Sequence, residues 1–93
     1  MTVSTLRLDL RVVPCNSSRE KHRQLQAIMD KLHRYFNVSV AEADHASDPA
    51  RSILVVATVG RTRRDARETL EQVADAVAAY PRAELLSQAI IEA

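Results

Sequence analysis

A single α+β domain, four antiparallel strands with two helices on one face, is the fold class that this 93-residue sequence predicts. Three observations predict it. Residues 5–13 alternate with period 2, placing Leu6, Leu8, Leu10 and Val12 on one face and Thr5, Arg7, Asp9 and Arg11 on the other. Two later stretches switch to helical spacing, and each is bracketed by segments of strand character. A chain this short buries only about 60% of the surface its unfolded form exposes, so residues 1–93 make one domain around one core.

The elements follow in order. Pro14 removes a ladder donor and stops the first strand. Ser17 and Glu20 form a Ser-x-x-Glu start signal for the first helix, where Leu25, Ile28, Met29, Leu32 and Phe36 make one apolar stripe. Residues 36–43 read as the second strand, Asp44 to Arg51 as a hairpin loop, and 52–59 as a nearly continuous apolar strand expected to lie centrally in the sheet. After Gly60, Thr62 and Asp65 cap a second helix with Ala66, Leu70, Val73, Val77 and Tyr80 on one face, ended by Pro81. Residues 84–92 supply the last strand, although Leu85-Leu86 and Ile90-Ile91 blur its alternation. Strand, helix, strand, strand, helix, strand is the ferredoxin-like βαββαβ plan, with strand order 4-1-3-2 set by two right-handed crossovers.

Composition restricts function. One Phe, two Tyr and no Trp make an aliphatic core and leave little aromatic surface for stacking bases. One cysteine, Cys15, and three scattered His cannot assemble a four-ligand zinc set or an internal disulfide, so neither metal nor cofactor is expected and the reducing cytoplasm fits best. No apolar run approaches the ~20 residues of a membrane span, and no signal peptide is read at the N-terminus. Net charge is +1, but Arg61, Arg63, Arg64 and Arg67 cluster at the start of the second helix. The ferredoxin-like plan brings the end of the first helix to the same pole, so Lys31 and Arg34 are expected to join them as a phosphate-binding surface. The competing role for these residues is a solvated turn paired with Asp65, Glu68 and Glu71.

The opposite pole holds Ser17, Arg19, Lys21 and His22 near Glu42. The stretch Ser17-Ser18-Arg19-Glu20-Lys21-His22, the amphipathic helix after it, and Phe36-Asn37-Val38-Ser39-Val40-Ala41-Glu42 resemble the YlxP-like family of small bacterial proteins. Ser18, Arg19 and His22 replace that family's Leu, Lys and Arg, and the aromatic residue that many members carry in the loop between the second and third strands is absent. The resemblance implies the same fold. It also implies a ribosome-associated or RNA-contacting accessory role, since such proteins are commonly encoded beside ribosome-maturation and translation-initiation factors. Asn37 and Ser39 then become contact candidates on an edge strand, with Ser17, Arg19, Lys21, His22 and Glu42 as the other surface candidates.

Enzyme readings do not fit. An acylphosphatase needs a glycine-containing phosphate loop after the first strand, and residues 13–18 contain none. A copper chaperone needs a second cysteine, and Cys15 with His22 alone is expected to be inert. The sequence therefore predicts a non-enzymatic protein binding ribosome or structured RNA through its basic surface. The alternative is a protein-interaction module that forms a homodimer through the open sheet face, where Leu54 and Val56 are expected beside Val3 and Ile91.

Overall fold

Strand β1 (Thr2–Val12) is the spine of the protein, because both neighbouring strands pair with it and its even-numbered residues build the core floor. The computed structural model describes residues 1–13, 17–44 and 50–92. Helix α1 (Ser18–Tyr35), β2 (Ser39–Asp44), β3 (Arg51–Gly60), α2 (Arg63–Ala78) and β4 (Ala83–Glu92) complete the order. The antiparallel sheet runs β2-β3-β1-β4, which is the expected 4-1-3-2 order read from the other edge.

Local chemistry sets the boundaries. The Ser17 hydroxyl accepts from the Glu20 N–H at 3.1 Å and the Thr62 hydroxyl from the Asp65 N–H at 3.1 Å, each satisfying one of the free donors of a helix N-terminus. Phe36 is extended and caps α1 through its N–H on the Leu32 carbonyl, so β2 starts three residues later than the sequence pattern suggests. Helix α2 stops at Ala78, before Tyr80, because the residue preceding Pro81 is pushed out of helical geometry. In β4 the register against β1 shifts between Asp9 and Leu10, skipping Leu86. That bulge accounts for the blurred alternation of Leu85-Leu86.

The core lies between the sheet and the helices. Leu6, Leu8 and Leu10 of β1 meet Leu25, Ile28 and Leu32 of α1 and Leu70, Val73 and Val77 of α2 in one buried cluster. Each fully buried Leu or Ile contributes roughly 1.5–3 kcal/mol of transfer free energy. Phe36, Val38 and Val40 pack against the cluster's edge.

The structure corrects one expectation. Leu54 and Val56 are 0% exposed and face the helices, opposite Leu8 and Leu6, so they are absent from the open face. Residues 51, 53, 55, 57 and 59 occupy that face instead. The phase is hard to read because the polar Ser52 and Thr58 point inward, where the Ser52 hydroxyl donates to Glu42 at 2.6 Å and the Thr58 hydroxyl to the Asn37 carbonyl at 3.0 Å. Inward polar residues with satisfied hydrogen bonds imitate a solvent-facing row.

Gly60, the chain's one glycine, joins β3 to α2 where a Cβ would stand 2.6 Å from the Ala66 nitrogen and 2.9 Å from the Thr62 carbonyl oxygen. Both are backbone atoms of the α2 entry and cannot swing away. Gly60→Ala is therefore expected to destabilise the fold by about 1–3 kcal/mol, measured by chemical denaturation. Unchanged stability would show that the α2 entry yields freely.

Candidate functional site

Strand directions define two poles. Strands β1 and β2 both run antiparallel to β3, so they end at one pole, where α1 begins and β3 and β4 start. At the other pole α1 ends, α2 begins, and β3 and β4 finish. Between the poles, the sheet face away from the helices is uncovered by any element of the described chain.

Period-2 alternation furnishes that open face with Val3, Thr5, Arg7, Asp9 and Arg11 from β1. Beside them β3 places Val59, Ala57, Val55, Ile53 and Arg51, each opposite its β1 partner in that order. On the far side of β1, Ile91, Ala89 and Ser87 of β4 stand level with Thr5, Arg7 and Asp9. Val59 is 60% exposed, Ile91 58% and Val3 46%, so the half of the face near the second pole is an apolar strip in contact with water. A shallow groove of about 300 Å³ continues it toward β2, lined by Val3, Val38, Ala57 and Val59 with Asn37 and Ser39 at its rim. The other half is charged, and there Arg51 donates to Asp9 at 2.6 Å.

The pole at the start of α1 is a bonded network. Glu20 accepts from Arg23, from the Gln24 amide at 3.2 Å and from Arg82 at 2.8 Å. The Tyr80 hydroxyl donates to Gln24 at 3.4 Å, and the Lys31 ammonium lies 5.8 Å from the Tyr80 ring centroid. Lys21 donates to the Arg51 carbonyl at 3.3 Å. Thus Ser17, Lys21 and Glu42 are engaged in structural hydrogen bonds, whereas Arg19 and His22 are exposed on α1. Cys15 lies outside the described residues.

At the second pole the cations share an end of the molecule but divide among its surfaces. Arg61 borders Met1 and Val59 at the edge of the open face. Arg64 pairs with Glu68 at 3.1 Å on exposed α2, and Arg63 precedes it on the same first turn. Arg67 lines a polar groove of about 530 Å³ between α2 and β4 with Glu71, Asp75 and Gln88. Arg34 borders a hollow on α1 with Ala27, Asp30 and Tyr35, while Lys31 reaches back to Tyr80. Sequence spacing finds the shared pole and misses the tertiary partners, because Tyr80 and Arg82 lie 49 and 62 residues from the groups they meet.

This geometry defines a small ferredoxin-like α+β domain that presents surfaces and shallow grooves. Among the described residues no three His, Cys, Asp or Glu side chains group as metal ligands, and no helix is long and apolar enough to cross a membrane. The chain belongs to the family described as "Protein of unknown function (DUF503)", which matches residues 3–90. No functionally curated protein matches it.

The Gln24 amide holds the Glu20 carboxyl below the usual carboxylate value, and the charge and hydrogen bonds of Arg23 and Arg82 act in the same direction against desolvation. A depressed folded-state pKa adds stability above the unfolded value near 4.5 that is lost as pH falls through the folded value. Glu20→Gln is therefore expected to melt below wild type at pH 7, the gap closing in acid. A gap independent of pH would exclude the ionised carboxylate as its cause.

Proposed function

We propose that the protein acts by contact, without catalysis, as a homodimeric interaction module whose open sheet face is the dimer surface. The observation carrying this reading is the exposed apolar strip of Val3, Val59 and Ile91, continued inward by Ala57 and Val55. Contiguous apolar surface of this kind marks an interaction site in soluble proteins. Four strands about 4.8 Å apart and ten residues rising about 3.3 Å each give a face on the order of 600 Å². Two such faces bury about 1,200 Å², the lower bound for a specific interface.

A second reading rests on the shared pole of α1 and α2. Arg61, Arg63 and Arg64 surround the positive end of the α2 dipole, a setting that favours phosphate. The resemblance to the YlxP-like family supports structured RNA, ribosomal RNA above all, as the phosphate source, and a bacterial cytoplasm as the setting. Backbone contact would be the mechanism. The two readings are compatible for Arg63 and Arg64, which lie on α2, whereas Arg61 borders the open face.

Light scattering at tens of micromolar is expected to give twice the 10.4 kDa chain mass, and Val59→Lys to return it to the monomer with stability changed by less than about 0.5 kcal/mol. Val56→Lys should instead unfold the chain, because it buries a charge in the core. Monomeric wild type would overturn the dimer reading. For RNA, each lost phosphate contact should lower the slope of log affinity against log salt by about 0.7–0.9. Arg63→Ala/Arg64→Ala is expected to show that decrease with ribosomal RNA, and equal slopes in wild type and variant would remove the pole from consideration.

A further inference from the structure

Strand β4 leaves its outer edge open, because the order β2-β3-β1-β4 ends on it and no element of the described chain pairs with that side. Which of its backbone groups project there follows from β1. The Val12 N–H bonds the Ala50 carbonyl just before β3, and the Val13 N–H bonds the Arg82 carbonyl just before β4. Even-numbered β1 residues thus address β3 and odd-numbered ones address β4. Thr5, Arg7 and Asp9 pair with Ile91, Ala89 and Ser87, and the Thr5 hydroxyl donating to the Ile91 carbonyl at 3.3 Å agrees with that phase. Gln88 and Ile90 then point their own N–H and C=O groups outward.

We propose that an extended segment of a partner protein adds to this edge as a fifth, antiparallel strand, with a Lys or Arg side chain turned toward Glu71 and Asp75. Both carboxylates line the groove of about 530 Å³ between α2 and β4, with Arg67, Gln88 and Ile90 around them. Neither makes an ion pair or side-chain hydrogen bond among the described residues, whereas Arg67 is already engaged. The uncompensated charge of the groove is therefore negative. Helix α2 starts at the pole where β4 finishes, so Arg67 lies toward Ile90, and Glu71 and Asp75 lie toward Gln88. From Arg67 to Asp75 the helix rises about 12 Å, the length of four extended residues at about 3.3 Å each. Cross-strand neighbours share a face, so partner residues opposite Ile90 and Gln88 face α2 while the one between them lies beside Ala89 on the other face. Ile90 packs against the core cluster and favours an apolar neighbour. In its own chain direction the fitting segment reads apolar, β-branched, basic.

Sheet edges are ordinarily guarded by short length, bulges, Pro or charge. The other edge, β2, obeys that rule with six residues and a register shift between Glu42 and Asp44. Strand β4 runs ten residues, and positions 85–91 carry neither charge nor Pro. Its bulge at Leu86 lies outside the stretch from Ser87 to Ile91, where the ladder to β1 is regular. Backbone hydrogen bonds give an added strand its affinity, and alternate side chains give it specificity. A second copy docked edge to edge would set both copies' Glu71 and Asp75 on the same side of the joined sheet, like charge beside like charge. A cationic segment is the better occupant. The contact uses a sheet edge, so it neither needs nor forbids the open-face dimer.

Amide NMR spectra of the full chain, titrated with the end-blocked peptide Ser-Thr-Val-Thr-Lys-Thr-Ser, test this arrangement. The Gln88 and Ile90 amides should shift and exchange more slowly with solvent as peptide is added. N-methylation of the peptide's Val or Lys, which face Ile90 and Gln88, removes an inter-strand donor and should weaken binding roughly 10-fold. N-methylation of the Thr between them should leave binding unchanged, since that N–H points away from β4. The same peptide with Gln in place of Lys should bind roughly 3-fold more weakly to wild type, and a chain with Glu71→Gln and Asp75→Asn should bind both peptides alike. No shift at millimolar peptide, shifts centred on β2 or the open face, or equal loss from all three methylations would overturn the fifth strand. A preference for Lys that survives in the Glu71→Gln, Asp75→Asn chain would overturn the role of the two carboxylates. Concentration-dependent protection of the Gln88 and Ile90 amides without peptide would make a second copy the occupant and overturn the partner segment.

Discussion

The antiparallel register of β1 against β3 is the constraint on which the rest of the molecule depends. Leu6 stands opposite Val56 and Leu8 opposite Leu54, and this pairing places four fully buried side chains beneath the helices at once. A slip of β1 by one residue would turn Arg7 and Asp9 into the core and expel its leucines. That penalty locks the register, and the register then decides every residue of the opposite face. The apolar strip is thus a consequence of core formation in a strand whose two faces are both apolar.

Helix placement follows from the same frame. Helix α2 packs over β3, β1 and β4, while α1 leans on β2 and β1, so the helices share the core without one covering the other. The Glu20 network ties the start of α1 to Arg82 at the start of β4, and Tyr80 adds a bond to Gln24. These contacts join the two βαβ halves at the end of the molecule opposite the start of α2. Charges that serve as fasteners at one pole are drawn away from ligand binding there. The cations at the other pole are more dispersed, with Arg64 on Glu68 and Arg67 beside Glu71 and Asp75.

Much of the fold is legible in the sequence because its local signals agree. Ser17 and Thr62 mark both helix starts, Pro14 and Pro81 mark two interruptions, and the handedness of crossovers leaves one strand order. The face of β3 is not legible. Alternation there separates two apolar rows, and Ser52 and Thr58 reverse the polar cue by finding hydrogen-bond partners in β2 and its approach. The candidate surfaces divide in the same way. Element direction places Lys31 at the basic pole, but only the packing of Tyr80 shows that its ammonium reaches toward the other one. Side-chain reach depends on partners dozens of residues away, and local spacing carries no record of them.

The charge pattern on the open face weighs against reading the apolar strip as incidental. Scattered exposed apolar residues are ordinary on a protein surface, but here they occupy adjoining positions on β1, β3 and β4. An edge-to-edge association of sheets would use backbone groups of β2 or β4 and leave this strip wet. A face-to-face association would cover it and would also have to accommodate Arg7, which forms no ion pair among the described residues and has apolar neighbours on both adjoining strands. The only carboxylate on β1, Asp9, lies one pleat away on the same face and is already oriented by Arg51. The face is thus divided, its apolar half lying at the end where α2 begins and its charged half, ordered by the Arg51–Asp9 pair, at the end where α1 begins.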